Sequence, residues 1–191
     1  YQDIRKPGKF RIPSRLQEVD PPKHTQIRGV VTRAMSPLVI RRMRGFFEER
    51  AERIAADLVA KGKFDGVNDL AISYVVSAFP DAVGVKLERE PALAIAEMRF
   101  NQSCPHNELY EPAMKGAEPY MEWYEAACQR DAVVPGSIAD LLFEAEERGE
   151  LEEGVASNIV RSFVGGGVDS TFSAIGHTLH RLALNPDAFQ A

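Results

Sequence analysis

The sequence predicts an all-α chain. Apolar residues recur close to a 3.6-residue period over long stretches, most clearly across 152–184. The stretches are separated by prolines and glycines with capping residues beside them. No segment alternates apolar and polar residues as a half-buried strand would, and no internal repeat or low-complexity tract is present. At 191 residues, 45% of them hydrophobic, the chain is long and apolar enough for a core of its own.

Residues 1–19, rich in Pro, Lys and Arg, read as an irregular loop. Asp20 followed by Pro21 and Pro22 predicts a helix start, with the acid as N-cap and proline in the first turn. Ile27, Val30, Val31 and Ala34 give that helix its apolar face. Ser36–Pro37 repeats the start signal for a second helix over about 38–61, with Val39, Ile40, Met43, Phe46, Phe47, Ile54, Leu58 and Val59 on one side. "KGKFDG" closes it. Asp69–Ala78 is apolar and predicted buried, and "FPDAVG" is expected to break it. A helix follows over 88–101, then a loop, "NQSCPHNELYEP", then a helix over 113–131 carrying Tyr120, Trp123 and Tyr124. "VVPGS" reads as a turn, Ser137 as the cap of a short helix to about Arg148, and "RGELEE" as the lead into the last and longest helix.

A net charge of −5 argues against a nucleic-acid binder. No run of eighteen apolar residues is present, so no membrane span is expected. The start has no apolar leader, which predicts a cytoplasmic protein. It also lacks an initiator Met, and "NPDAFQA" stops abruptly past a helix, so the chain is expected to be a fragment. Cys104 and Cys128 form no metal spacing and read as reduced thiols. His177 and His180 share a helix face without a third ligand beside them. Residues 21–53 are mostly basic in their charge, and 144–153 mostly acidic. Such runs are either solvated helix faces or, for Lys23, Arg33, Arg41, Arg42 and Arg44, a patch for an acidic partner.

One stretch resists a purely structural reading. "VGGGVDST", 164–171, puts three glycines inside the longest helix. Each glycine costs about 1 kcal/mol against alanine there. A phosphate loop would need a strand before it, and here a helix precedes. Two readings remain. A bare helix face admits a flat ligand or a diatomic molecule, with Ser170 bonding the carbonyl four residues back and loosening the turn. Alternatively, a neighbouring helix crosses at the glycines and Asp169 is salt-bridged.

"GGGVDST" resembles the distal-helix motif of the cytochromes P-450, the haem-thiolate monooxygenases. "DPPKHTQIR" resembles their earlier signature, a His and an Arg four apart, which implies that His24 and Arg28 contact the propionates of haem b. Both motifs stand in the family's order, and the resemblance runs through all 191 residues. It implies the helical part of the cytochrome P-450 fold, residues 1–191 forming the middle portion of a single domain, with the long distal helix in it.

"FPDA", "NEL", "VVPGS" and "VRS" bring the chain nearer the bacterial subgroup that oxidises para-substituted benzoates, the 4-methoxybenzoate demethylases. The likeness implies that Arg11, Ser14 and Ser162 hold the carboxylate of a small aromatic acid, with Gly165 at another position of that set. It implies that Gly166 and Gly167 admit haem and O2, that Asp169 and Ser170 deliver protons, and that an acidic ferredoxin supplies electrons. Departures accompany it. Ser170 replaces the family's Thr and lacks the methyl that fixes its rotamer. Gly165 stands for a serine, and Ser103 for an aromatic ring. The thiolate loop Phe-x-x-Gly-x-x-x-Cys-x-Gly and the Glu-x-x-Arg motif are both missing, so the iron's thiolate is not in this chain and the segment alone is expected to be inactive. The contrasting reading is an all-helical ligand-binding regulator or interaction domain. No basic recognition helix supports it.

Overall fold

The computed structural model describes residues 12–102 and 106–189, apart from the side chains of Asp81 and Phe189. Eight α-helices follow one another, and no strand occurs among the described residues. They are α1 (Lys23–Ala34), α2 (Pro37–Lys61), α3 (Ser73–Val83), α4 (Arg89–Asn101), α5 (Tyr110–Ala117), α6 (Met121–Ala127), α7 (Ile138–Glu147) and α8 (Val155–Leu184).

α8 is the axis of the assembly. Its 30 residues extend roughly 45 Å at 1.5 Å per residue. α3, α4 and α7 pack on it, as does a π-helical segment, Gly66–Ile72, that leads into α3. Burial along α8 is uneven. Val155, Ile159, Val160, Val164 and Val168 are fully enclosed, whereas Phe172, Ile175, Leu179 and Leu182 beyond them are only half-buried. The main core joins the apolar face of α1 (Ile27, Val30, Val31, Ala34) to Ile95, Met98, Tyr124, Leu142 and the first half of α8.

Local chemistry sets the boundaries. Ser137 caps α7, its Oγ accepting from the Asp140 N–H at 3.2 Å, as its position before the apolar run predicts. Asp65 caps the π segment by accepting from the N–H groups of Val67 and Asn68, both at 2.8 Å. Gly84 ends α3 with φ +92°, and a Cβ there would collide with the Ser137 side chain, so no other residue fits without moving the α7 cap.

Several expectations change. Asp20 is not the cap of α1: the N-cap is Pro22, and Asp20 contributes its backbone carbonyl to the His24 N–H at 3.0 Å. "FPDAVG" does not break the chain. α3 runs through Pro80 to Val83, because the burial of Val75, Ala78 and Val83 outweighs the one backbone bond that proline removes. The helix expected over 113–131 starts earlier, at Tyr110, and is split by a 3₁₀ turn at Glu118–Tyr120, where Pro119 lacks the N–H to continue; it ends at Ala127. On α2 only Met43 and Leu58 of the predicted apolar side are buried, while Ile40, Phe46 and Val59 face outward.

Candidate functional site

A cleft of about 910 Å³ opens between α4 and α8. Its α8 wall includes Ser162, Gly165, Gly166, Asp169 and Ser170, five of the residues singled out in the sequence. Helical spacing brings them to one face: 162, 166, 169, 170 and 173 follow the i, i+3, i+4, i+7 pattern. Leu93, Glu97, Arg99, Phe100 and Asn101 of α4 form the opposite wall, and Gln17 closes one end.

The three glycines do different things. A Cβ on Gly167 would stand 2.6 Å from Cε2 of Phe79, so this glycine is where α3 crosses α8. A Cβ on Gly165 would stand 2.5 Å from Nε of Arg99. A Cβ on Gly166 would meet nothing within 4 Å, and Gly166 is exposed to the cleft. The crossing of a neighbouring helix is seen at Gly165 and Gly167, which allow close packing, while Gly166 leaves a bare stretch of backbone open to the cleft.

The turn itself is not opened: α8 stays α-helical through all three glycines. Ser170 does make the predicted back-bond, its Oγ donating to the Gly166 carbonyl at 2.6 Å. The alternative of a salt-bridged Asp169 is not observed. Asp169 is half-buried with no ion-pair or hydrogen-bond partner among the described residues, and burial raises its pKa above the ordinary carboxylate value.

The other candidates lie elsewhere. Ser14 is buried, but its Oγ accepts from the N–H groups of Leu16 (3.3 Å) and Gln17 (3.0 Å) within its own turn, and it does not line the cleft. Asn158 holds this turn against α8: its Oδ1 accepts from the Arg15 N–H at 2.8 Å and its Nδ2 donates to the Pro13 carbonyl at 3.0 Å. Arg11, Ser103 and Cys104 lie outside the described residues. His24 is half-buried and Arg28 exposed on α1, one turn apart, neither lining the cleft; neither side chain has an ion-pair or hydrogen-bond partner among the described residues.

The basic run is largely neutralised. Lys23 pairs with Glu152 at 2.5 Å, Arg33 with Glu150, and Arg44 with Glu48 at 2.6 Å. Two of these bonds fasten α1 to the acidic run ahead of α8, a complementarity that charge counting left open. Cys128 is a buried core thiol whose pKa burial pushes up to about 12, unsuited to binding a metal as thiolate. Among the described residues no three His, Cys, Asp or Glu side chains cluster to hold a metal ion, and no helix is long and apolar enough to cross a membrane.

Comparison with known proteins gives this arrangement a family. No family model matches the chain. Cytochrome P450 CYP199A2 of Rhodopseudomonas palustris is 35% identical over 189 residues, 98% of this chain and 46% of that protein. A steroid C26-monooxygenase of Mycolicibacterium smegmatis is 26% identical over 178 residues, 92% of this chain and 42% of that one. Among solved structures, cytochrome P450 TxtC superposes with a TM-score of 0.74 at 19% identity, covering 98% of this chain and 51% of that one. The fold and the sequence identify the chain as a cytochrome P-450 segment carrying the helical part of that fold, with α8 as its long helix. It spans about half the length of the curated relatives it matches.

Cytochromes P-450 are haem-iron proteins. The bare backbone at Gly166, where a Cβ would project into open space, suits a flat macrocycle lying against α8. The described residues offer that group a surface but no thiolate.

Proposed function

We propose that the chain is the middle portion of a haem-dependent monooxygenase that inserts one oxygen atom from O2 into a small aromatic acid, by hydroxylation or by O-demethylation of a para-substituted benzoate. The observation that carries this reading is Asp169, a carboxylate without a partner among the described residues, beside a committed hydroxyl on a bare turn of helix. An unpaired acid in a half-buried place is destabilising, and its raised pKa brings it nearer to exchanging protons at working pH.

When bound, haem supplies the activation of O2. His24 and Arg28, one turn apart and unpaired among the described residues, would hold its propionates, and Gly166 would give it room. Asp169 takes a proton from solvent and passes it, through water and Ser170, into the cleft, the Ser170 hydroxyl turning away from the Gly166 carbonyl to join the relay. Leu93, Phe100 and Phe172 keep bulk water from an aromatic ring. A methoxy substrate leaves as phenol and formaldehyde, with two electrons and two protons consumed per O2 and one water released. Electrons come from an acidic ferredoxin, for which Arg41 and Arg42, exposed and unpaired among the described residues, offer a contact surface in a cytoplasmic protein. The thiolate and the rest of the single domain come from chain beyond these residues.

The test is turnover by the full-length haem protein with a ferredoxin donor. 4-Methoxybenzoate should yield 4-hydroxybenzoate and formaldehyde in equal amounts. Asp169→Asn should slow O2 consumption while leaving substrate affinity within about two-fold. Undiminished turnover in that variant refutes the proton role, and absence of any product from aromatic acids refutes the substrate class.

A further inference from the structure

We infer that Arg99 is the residue through which the cleft recognises an anionic group on its ligand. The inference deepens the substrate class proposed above and rests on it for the aromatic ring, not for the charge.

Arg99 is half-buried on α4 and lies across the bare backbone of Gly165 on α8. Its Nε, Cγ and Cδ lie 2.5, 2.9 and 3.1 Å from where a Cβ at 165 would stand. Any side chain at 165 would displace it. The absence of a side chain on α8 and the presence of a long cation on α4 are thus one feature: the glycine makes the niche and the arginine stem fills it.

Three hydroxyls stand on the α8 wall; those of Ser162 and Ser170 are committed to carbonyls of their own helix, and Ser173 offers an anion a single neutral donor. A serine has one proton to donate. Ser162 gives its proton to the Asn158 carbonyl at 3.0 Å, and Ser170 gives its own to the Gly166 carbonyl at 2.6 Å. Neither can donate to a carboxylate without breaking a bond inside the helix. Arg99 is the one arginine or lysine among the described residues lining the cleft. It carries five N–H donors in a planar fork matched to a carboxylate. Phe100 and Phe172 flank the same space, so a ligand with an apolar body and an acidic head fits both. Asp169 is one helical turn, about 6 Å, further along α8. Glu97, the other acid lining the cleft, is exposed on α4 and screened by water, whereas half-buried Asp169 repels an anionic head more strongly and sets the ligand's direction, acid toward Arg99 and far end toward the Asp169 turn.

The experiment measures affinity, by calorimetry on the full-length haem protein, for 4-methoxybenzoate, its neutral analogue 4-methoxybenzamide, and decanoate. Arg99→Gln and Arg99→Met both remove the charge, and Met preserves much of the stem that packs on Gly165. In either variant 4-methoxybenzoate should bind about 10- to 100-fold more weakly, the loss expected for charge-assisted hydrogen bonds, with the amide unchanged within two-fold. Equal weakening of acid and amide, or no weakening of the acid, overturns the inference and leaves the aromatic-acid reading standing. Wild-type protein that ignores 4-methoxybenzoate yet binds decanoate, with Arg99 dependence, refutes the aromatic reading and supports the role of Arg99. Preference of the wild type for the amide over both acids overturns both.

Discussion

Replacing Gly166 and Gly167 separately by alanine should move stability in opposite directions, although the residues are adjacent in one helix. Alanine gains about 1 kcal/mol over glycine in a helix interior. At Gly166 nothing stands within 4 Å of the new Cβ, so Gly166→Ala should realise that gain in full. At Gly167 the Cβ would sit 2.6 Å from Cε2 and 3.2 Å from Cζ of Phe79. Carbon atoms rest about 3.5–4.0 Å apart, so the ring must retreat by roughly 1 Å. Phe79 has little freedom to do so, since it belongs to α3 and packs against the core. Overpacking of this size costs about 1–3 kcal/mol, which cancels the helix gain or exceeds it by up to about 2 kcal/mol. The two variants should therefore differ by about 1–3 kcal/mol. Urea unfolding of each, followed by circular dichroism at the helix band, reads the difference directly; in thermal unfolding it is roughly 2–4 °C per kcal/mol for a chain of this size. Gly165→Ala should fall between them, because the Arg99 stem can rotate aside. Coincident midpoints for the Gly166 and Gly167 variants would refute the division of the glycines into one ligand face and two packing faces.

Asp169→Asn should raise stability at pH 7 and lose that gain as pH falls below the ordinary aspartate value of 3.8. Burial raises the folded-state pKa, so the ionised carboxylate is disfavoured by folding above that pKa, and the penalty is gone once both states are protonated; an equal effect at pH 7 and pH 3 would show that charge is not its origin. Asn158→Ala should cost about 1–3 kcal/mol by leaving the Arg15 N–H and the Pro13 carbonyl without their partners. Amide exchange locates the effect: the Arg15 N–H should exchange faster, and unchanged exchange there would refute the clamp.

The parts of the fold legible in the sequence are those fixed by local chemistry. The face of α1 at Ile27, Val30, Val31 and Ala34, the Ser137 cap and the long last helix follow from periodicity and caps, and the structure has all three. The misreadings came where distant groups decide. Pro80 is a strong breaker on its own, but Val75, Ala78 and Val83 of the same helix are buried in the core and α3 continues. Lys23 and Arg33 look like a free basic patch until chain folding sets them against Glu152 and Glu150, more than a hundred residues away. α2 has helical spacing, yet only Met43 and Leu58 of its apolar side are fully buried, because spacing does not say whether another element arrives to cover it.

The site divides the same way. Ser162, Gly165, Gly166, Asp169 and Ser170 share one helix, so the 3.6-residue period alone places them on one wall of the cleft. Arg99 carries no such signal. It sits in an ordinary helix, and its importance arises only from what lies opposite, a residue 66 positions later with no side chain. That pairing explains why a run of glycines can occupy the middle of a 30-residue helix. Two of the three give back in interhelical contact what they lose in helix propensity, to Arg99 and to Phe79. The third, Gly166, has no contact to offset its loss. Its bareness is therefore the feature that packing leaves unexplained, and the cleft it faces is where a functional account has to begin.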